Sequence, residues 1–307
     1  MALSRKRLML FKIESTYNTN SSPDTSNDAI AVINPEWKFE GANIIERDVL
    51  KSTLGKSKAI YAGAMMQVTC DVEIKGSGAL GVAPEFGPLL RACGNGETIV
   101  ASTSVSYSPV TSGHESGTLV FYDDGIIITL TGVRGNWSPK WEKIGVISFT
   151  LTGHIESISD GAFPSATFDT TVPPPVIGAP FTVGGFSSGI SSFSFDAGNA
   201  VIFPTDVRSS DGYGEVVITG RDVAGSFDPP ATNAATNDFI GDFRSSADMA
   251  VVLGPIGGTA GNRHQLNMSS IHYRDLSPGD RDGLRSYEIG FGAAESAGDD
   301  EFALIFT

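Results

Sequence analysis

The stretch Ile144-Gly-Val-Ile-Ser-Phe-Thr-Leu151 returns in altered form as Asp282-Gly-Leu-Arg-Ser-Tyr-Glu-Ile289. After a shift of one residue, further matches follow in the same order: Glu156-Ser157 with Glu295-Ser296, Asp160 with Asp299, and Phe163 with Phe302. Upstream, Arg134-Gly-Asn136 matches Ala260-Gly-Asn262, and Phe39 with Asn43 matches Phe195 with Asn199. Self-similarity that keeps its order indicates a tandem duplication, so we expect two units of one fold.

Glycine and proline are abundant in this chain. There are 36 Gly and 16 Pro among 307 residues, about 17% where ~12% is typical. Only 18% of the residues are charged and 9% aromatic. This composition excludes a helical bundle or coiled coil, whose signature is Ala, Glu, Lys and Leu at helical period. The length suits two domains, and we predict a mainly β fold of short strands and many turns.

Four segments are predicted along the chain: an N-terminal arm (1–33), a first domain (34–171), a proline-rich linker (172–180) and a second domain (181–307). The linker is Val172-Pro-Pro-Pro-Val-Ile-Gly-Ala-Pro180, and such a run forms no ladder and holds two units apart. Each domain is expected to have one short flanking helix, at Pro84–Gly94 and Asn237–Arg244, because these stretches carry helical start and stop signals.

Alternating hydrophobicity predicts strands in both domains. Val68, Cys70, Val72 and Ile74 share one face of the clearest example. A long polar segment, Val49–Met66, precedes it and contains three lysines. A loop of this length inside a compact domain is usually functional or disordered.

The formal net charge is −14, and no lysine follows Lys143. Tight nucleic-acid binding needs basic contacts to phosphate, so the charge argues against that class of protein. Two cysteines, Cys70 and Cys93, are too few for a disulfide framework and are expected to be buried free thiols in a reducing cytoplasm. The apolar run Leu8–Phe11 is too short for a signal peptide core, and we expect cytoplasmic synthesis and retention.

No stretch predicts catalysis, a cofactor or a metal site. Gly76-Ser-Gly78-Ala-Leu-Gly81 matches the glycine motif of dinucleotide-binding domains. A dinucleotide-binding unit continues with a parallel strand, but polar turns and hairpins follow the motif here. Gly185-Phe-Ser187-Ser-Gly189 matches the nucleophile-elbow motif. In that motif the serine stands at a turn from a strand into a helix, but here an alternating strand pattern follows. A hydrolase built on Ser187, with His264 or His272 as base, stays open as an alternative. The four histidines lack metal-ligand spacing.

Several stretches together resemble the phage major tail tube proteins. They are an N-terminal arm, Trp37-Lys-Phe-Glu40, the loop ending near Tyr61-Ala-Gly-Ala64, Val68–Ile74, the helix at Pro84–Gly94, Tyr122-Asp-Asp-Gly125, Leu130-Thr-Gly-Val-Arg-Gly-Asn136 and Ser148-Phe-Thr-Leu-Thr-Gly153. In the second half, Gly261-Asn262, Tyr273-Arg-Asp275 and Asp280-Arg-Asp-Gly283 resemble the same family. The resemblance covers most of the chain, although each motif alone is degenerate.

The resemblance implies two tandem tube-type β-sandwich or barrel domains, each with a short flanking helix. Sheets of neighbouring subunits join into an inner barrel, and a chain with two such domains closes as a trimer with pseudo-sixfold symmetry. Rings then stack into a tube in the virion tail, assembled in the bacterial host cytoplasm, and DNA passes through its lumen without specific binding. The implied partners are further copies of the chain, the tape measure protein, the tail terminator and the distal tail or baseplate protein. No cofactor is implied.

Two sets of candidate residues follow from this interpretation. The N-terminal arm and the long loop are expected to supply contacts between rings, through Ser21, Asp24, Lys51, Leu54, Lys56, Lys58 and Tyr61. Acids expected at the lumen or the surface are Glu46, Asp71, Glu73 and Asp222. Two alternatives stay open: a receptor- or carbohydrate-binding β-sandwich of a phage tail or baseplate, and a tail terminator-like ring protein.

Overall fold

A computed structural model describes residue 3 and residues 5–307, and it confirms the mainly β fold. In the first half of the chain the elements are β1 (Arg7–Ile13), β2 (Ala29–Ile30), β3 (Ile33–Glu40), β4 (Ile44–Ile45), β5 (Ile60–Tyr61), β6 (Met65–Glu73), α1 (Gly87–Ala92), β7 (Asn95–Val100), β8 (Ser104–Pro109), β9 (Gly117–Asp123), β10 (Ile126–Trp141) and β11 (Gly145–Asp160). In the second half they are β12 (Phe181–Val183), β13 (Phe186–Ser187), β14 (Phe193–Asp196), β15 (Asn199–Ile202), β16 (Val217–Arg221), β17 (Ala224–Phe227), α2 (Phe239–Ser245), β18 (Met249–Ile256), β19 (His264–Arg281), β20 (Leu284–Ala293) and β21 (Ala303–Phe306).

The central feature is an antiparallel sheet of eight strands, which we call the long sheet. Its first four strands follow the order β3-β6-β11-β10. Its second four follow the order β14-β17-β20-β19. A short pairing of β10 with β14 joins the two sets. Each half of the chain therefore contributes four strands in corresponding order, as the sequence repeat predicts.

Strand register fixes which residues correspond between the halves. Leu151 on β11 pairs with Val68 and Gly135. Ile289 on β20, its match in the sequence repeat, pairs with Phe227 and Leu276. Gly135 therefore corresponds to Leu276, and the sequence match of residues 134–136 with residues 260–262 is wrong. That match rested on a Gly-Asn dipeptide, which turns and loops often contain for local reasons.

The shorter strands form further layers against the long sheet. β9, β1 and β2 continue the sheet from the first part of β10. In the same way β18, β12 and β13 continue it from the first part of β19. β21 pairs with both β19 and β8, so it links the second half to the first.

Aromatic side chains fill the space where the halves meet. Phe193 and Phe195 of β14 pack on Trp137 and Trp141 of β10, with ring centroids 5.3 to 6.3 Å apart. These residues belong to one continuous buried cluster that includes both halves. The proposed domain division stays a prediction. The region assigned to the arm also includes β1, whose residues Leu8–Phe11 are buried.

α1 lies within the region predicted for it, and α2 extends one residue beyond its predicted region, to Ser245. α1 has Pro88 in its first turn and buries Leu89 and Leu90, and Gly94 follows its end with a φ of +78°. The carboxylate of Asp238 caps α2 by accepting the Gly241 amide at 2.9 Å. Neither of these helices, within the described residues, has the length and apolar character needed to cross a membrane.

His264 makes the stability of the fold sensitive to acid. Its ring is buried, and its Nε2 accepts the indole N–H of Trp141 at 3.0 Å. Burial lowers the pKa of His264 to about 4. Below pH ~6.5 His264 becomes protonated in the unfolded chain but stays neutral in the folded chain. The free energy of unfolding therefore falls as the pH falls from 6.5 to 4. The full loss amounts to about 3 kcal/mol.

Denaturant unfolding at pH 7.5 and pH 4.5 measures this loss. In His264→Gln, the difference in the free energy of unfolding between pH 7.5 and pH 4.5 is expected to be smaller by most of that amount. His272→Gln is the matched control and is expected to keep the wild-type difference. An unchanged pH dependence in His264→Gln would contradict the assignment.

Candidate functional site

The face of the long sheet that points away from the core is polar and acidic. β6 shows the pattern: Val68, Cys70 and Val72 are buried, and the alternate residues face outward. Ser and Thr occupy many outward positions of β6, β11, β10, β14 and β17. Outward acids are Glu36, Glu40, Asp71, Glu73, Asp196, Asp275 and Glu288, and the accessible outward bases are Lys38, Lys140 and Arg281. We call this surface the polar face.

Two of the four candidate acids lie on the polar face. Asp71 and Glu73 are next to each other on one side of β6, and Asp71 accepts a hydrogen bond from Ser148. Glu46 is exposed in the loop after β4. Asp222 follows β16 and is paired with Arg274, with N–O distances of 2.6 and 3.0 Å. Those hydrogen bonds lower the pKa of Asp222.

The first strand of the long sheet has an uncovered edge. Trp37 and Phe39 point to the core side of β3, opposite Val68 and Met66, yet they are 37% and 48% exposed. Their counterparts in β14 are Phe193 and Phe195, which are 0% and 2% exposed. In the described part of the chain no strand pairs with the other edge of β3. Exposed strand edges with apolar side chains are sites of association.

The last strand of the long sheet also has an unpaired edge. β20 occupies one side of β19 as far as Arg281, and β18 occupies the other side only as far as Ile271. Among the described residues, no strand pairs with this second side of β19 over residues 272–281. The long sheet therefore ends in unpaired backbone at both sides, and such backbone accepts a further strand.

The hairpin β4–β5 and the loop that connects its strands project from the molecule. The apolar side chains of Ile44, Ile45, Leu50, Leu54, Ile60 and Tyr61 are exposed, and those of Leu50 and Leu54 are almost completely so. Lys51, Lys56 and Lys58 are exposed in the same loop. At the base of the hairpin a Cβ on Gly63, whose φ is +106°, would lie 2.0 Å from the Asp211 carbonyl oxygen. The base is thus fixed and the loop is exposed.

Ser21 and Asp24 lie in the segment between β1 and β2. The Ser21 amide donates to Thr118 Oγ1 at 3.0 Å, and the Ser21 hydroxyl donates to the Lys12 carbonyl at 3.2 Å. Asp24 accepts the amides of Ser26 and Asn27 at 2.8 and 3.0 Å. Hydrogen bonds thus fold this part of the N-terminal segment against β1 and β9 in the single chain.

Polar contacts reinforce the junction of β10 with β14, which we call the internal seam. The guanidinium of Arg134 on β10 is buried and donates to Glu215 at 2.7 Å, and to the carbonyls of Val216 and His114 at 2.6 and 2.7 Å. These contacts attach the hairpin β15–β16 to the first half. The sequence contained Arg134-Gly-Asn136 as a motif but gave no indication of these partners.

Two asparagines complete the internal seam. Asn136 donates to the Asp196 carboxylate at 2.6 Å and accepts the Asn199 amide at 3.0 Å. The Asn199 side chain donates to the carbonyls of Cys93 and Gly135 at 2.7 and 3.1 Å. Side chains from both halves therefore satisfy each other along the seam.

A second polar cluster fixes the loop between β15 and β16. Tyr17 Oη lies 3.1 Å from His154 Nε2, and Asp211 lies 2.9 Å from His154 Nδ1. Burial opposes the charged form of Asp211, but hydrogen bonds from Ser209 and His154 keep its pKa below the usual value. Burial raises the pKa of Tyr17 to about 12. The cluster holds the loop against the first half.

The two motifs that match enzyme patterns, Gly76–Gly81 and Gly185–Gly189, have structural roles. The Gly76 amide donates to Asn262 Oδ1 at 2.8 Å, and a Cβ on Gly76 would lie 2.1 Å from the Gly261 carbonyl oxygen. Ser187 is an exposed residue of β13, paired with Thr182 in a strand and not at a strand-to-helix turn. His264, one of the two proposed bases, is committed to Trp141 in the core.

The chain was compared with known protein families and with curated proteins. A family model described as "Phage tail tube protein" matches residues 4–293. The comparison with curated proteins gave no match.

Proposed function

The chain belongs to the phage tail tube protein family, and from this premise we propose that three copies close into a ring and that such rings stack into a hollow tube for the passage of DNA. The observation that carries this proposal is the long sheet, which has two corresponding halves and an unpaired edge at each end. A ring pairs the two free edges of the long sheet, and a head-to-tail interface that closes is the way to make one. Three chains with two four-stranded units each supply six similar positions.

The polar face is the surface that we assign to the lumen. Its hydroxyl-rich, acidic character disfavours contacts with phosphate, because such contacts need Lys and Arg. Acidic walls also repel DNA, so DNA passes without being held. Asp71 and Glu73 belong to this wall, whereas Glu46 and Asp222 are assigned to other surfaces.

Replacing Asp71 by Asn and Glu73 by Gln is expected to leave folding and tube assembly intact and to slow the release of DNA from assembled particles. Both side chains keep their size, and the amide oxygen in Asp71→Asn would still accept the Ser148 hydroxyl, but the negative charge is lost. The measurement is the time course of DNA release from virions that carry the double variant. Glu46→Gln, away from the polar face, is the matched control, and equal release in both variants and the wild type would contradict the lumen assignment.

Contacts between stacked rings are assigned to the exposed loop after β4 and to the N-terminal segment. The candidates are Ser21, Asp24, Lys51, Leu54, Lys56, Lys58 and Tyr61. Leu50 belongs to this set as well, because it and Leu54 are apolar side chains left almost wholly in water. Covering such side chains stabilises an assembly by about 25 cal/mol per Å².

The variant Leu50→Ser/Leu54→Ser is expected to form rings that stack into shorter tubes or none. Electron microscopy of the purified protein gives the tube lengths. Ile177→Ser, which changes an exposed apolar residue of the linker, is the control and is expected to give wild-type tubes. Wild-type tube lengths in the double variant would assign stacking to other residues.

Negative-stain microscopy of the wild-type protein tests the function itself. Long hollow tubes are expected, and compact monomers under all conditions would contradict the proposal. Single rings that never stack would instead favour the tail terminator-like alternative. The carbohydrate-binding alternative needs exposed aromatic platforms, but Trp137 and Trp141 are buried, and the part-exposed Trp37 and Phe39 lie at the strand edge that we assign to ring closure.

The remaining parts of the proposal concern setting and partners. We assign the protein to the virion tail, after assembly in the cytoplasm of the bacterial host, as a structural component without a cofactor. The proposed partners at the tube and its ends are the tape measure protein, the tail terminator and the distal tail or baseplate protein.

A further inference from the structure

We propose that the contact between neighbouring chains repeats the internal seam with its central ion pair reversed in sign, so that Lys56 of one chain pairs with Asp275 of the next. This inference rests on the proposed ring, and it assigns Lys56 to the contact within a ring in place of the contacts between stacked rings. In the same contact, β3 of one chain lies antiparallel to the free edge of β19 in its neighbour, as β14 lies beside β10 within the chain.

The register of the long sheet places Asp275 where Arg134 stands in the first half. Arg134 pairs with Thr152, the residue after Leu151 on β11. Asp275 pairs with Gly290, the residue after Ile289 on β20. A register irregularity immediately precedes both positions. The two residues therefore occupy corresponding places on the edges that receive a strand.

Lys56 corresponds in the same way to Glu215. Phe227 and Val68 are equivalent positions, because they pair with Ile289 and Leu151. Glu215 lies twelve residues before Phe227, and Lys56 lies twelve residues before Val68. The hairpins that carry them also correspond: β15–β16 begins with Asn199, and Asn43 stands at the start of β4–β5, as the sequence repeat indicates.

The chemistry of the counterparts remains complementary although the residues differ. Arg134 and Glu215 form a pair at 2.7 Å within the chain, and both signs are reversed in Asp275 and Lys56. Both of these side chains are exposed in the single chain, and neither belongs to an ion pair within its described part. A contact between copies would therefore join two charges that have no fixed partner.

The polar residues beside the ion pair agree with this assignment. Asn136 donates to Asp196 in the internal seam, and their counterparts Ser277 and Glu40 are again a donor and an acceptor. Asn199 donates to the Gly135 carbonyl, and Asn43 is placed to donate to the carbonyl of Leu276 in the neighbouring copy. Trp37 and Phe39 then lie against β19 of the neighbour, as Phe193 and Phe195 lie against β10 within the chain.

The reversed sign gives the ring a fixed order. Lys56 would meet a like charge at Arg134, and Glu215 would meet a like charge at Asp275, and like-charge contacts suppress wrong pairing. The hairpin β4–β5 of a neighbour is thus directed to β19, and the internal seam keeps its own hairpin.

A charge swap tests the proposed pair. Lys56→Glu and Asp275→Lys are each expected to raise the protein concentration needed for ring formation by about tenfold or more, and the double variant is expected to restore most of the loss. Native mass spectrometry gives the fractions of monomer and ring. Lys51→Glu, the same change in the same loop, is the control and is expected to form rings as the wild type does.

The outcomes separate this inference from the proposed function. If the wild type forms rings and the single variants do so equally well, or if the double variant recovers nothing, the pair is wrong and the function stands. If the wild type forms no rings, both are wrong.

A second test introduces Glu40→Cys with Ser277→Cys and oxidises assembled protein. Disulfide-linked chains are expected, and their absence in rings would overturn the proposed alignment of β3 with β19.

Discussion

Arg134→Ala is expected to lower the free energy of unfolding by about 2 to 4 kcal/mol, because the buried guanidinium is the donor to backbone carbonyls that the variant leaves without a partner. The guanidinium is buried and donates to the Glu215 carboxylate and to three backbone carbonyls. Its removal leaves the carbonyls of Val216 and His114 without this donor and opens a cavity under β15–β16. A buried acceptor without a partner costs about 1 to 3 kcal/mol.

Chemical denaturation at neutral pH measures this effect. Lys140→Ala is the matched control on the same strand, because the Lys140 side chain is exposed and, among the described residues, forms an ion pair only with Glu142. We expect that control to change the free energy of unfolding by less than ~1 kcal/mol. A similarly small effect of Arg134→Ala would mean that the seam depends on its aromatic packing alone.

The internal seam shows what the sequence could not predict. The repeat of residues 144–151 as residues 282–289 was visible, and with it the presence of two corresponding units. The junction between those units depends on pairs such as Arg134 with Glu215 and Asn136 with Asp196, which are 81 and 60 residues apart. No local pattern marks such pairs. Their positions become apparent only when the strand register is known.

Local patterns did identify the polar face in part. The alternating pattern of residues 67–74 placed Asp71 and Glu73 opposite the buried residues of the same strand, and the structure confirms that alternation, which ends at the buried Lys75. Glu46 and Asp222 lie in segments without a regular period, where the side that a residue faces depends on tertiary contacts. The ion pair of Asp222 with Arg274 is an example.

The N-terminal segment illustrates a similar limit. Its polar composition suggested an extended arm, and whether it reaches a neighbouring ring stays a prediction. In the single chain, however, the carboxylate of Glu14 is buried and accepts Ser116 Oγ at 2.7 Å, Thr118 Oγ1 at 3.0 Å and the Gly132 amide at 2.9 Å. These donors lie about a hundred residues away, so composition alone could not reveal them.

The double variant Trp37→Asp/Phe39→Asp is expected to abolish ring formation, raising the concentration required by at least about a hundredfold, while the monomer stays folded. Large aromatic side chains commonly dominate the energy of an interface. Both residues are already part-exposed in the single chain, and Trp37 donates a hydrogen bond to Asp123, so the free energy of unfolding is expected to fall by about 1 to 2 kcal/mol without loss of the fold. In β14 the equivalent change at Phe193 and Phe195 would instead unfold the protein, because those side chains are buried.

The control for this variant is Ile99→Asp/Val100→Asp. These residues are 52% and 50% exposed on β7, another edge strand, which pairs only with β8 in the described part of the chain. The control variant introduces the same two charges at an edge to which no neighbour is assigned. It is therefore expected to form rings. Analytical ultracentrifugation of both variants, with circular dichroism to verify folding, separates loss of assembly from loss of structure. If the β3 variant assembled and the β7 variant did not, the ring would close through the outer edge of β7, and the correspondence between the internal seam and the contact between chains would fail.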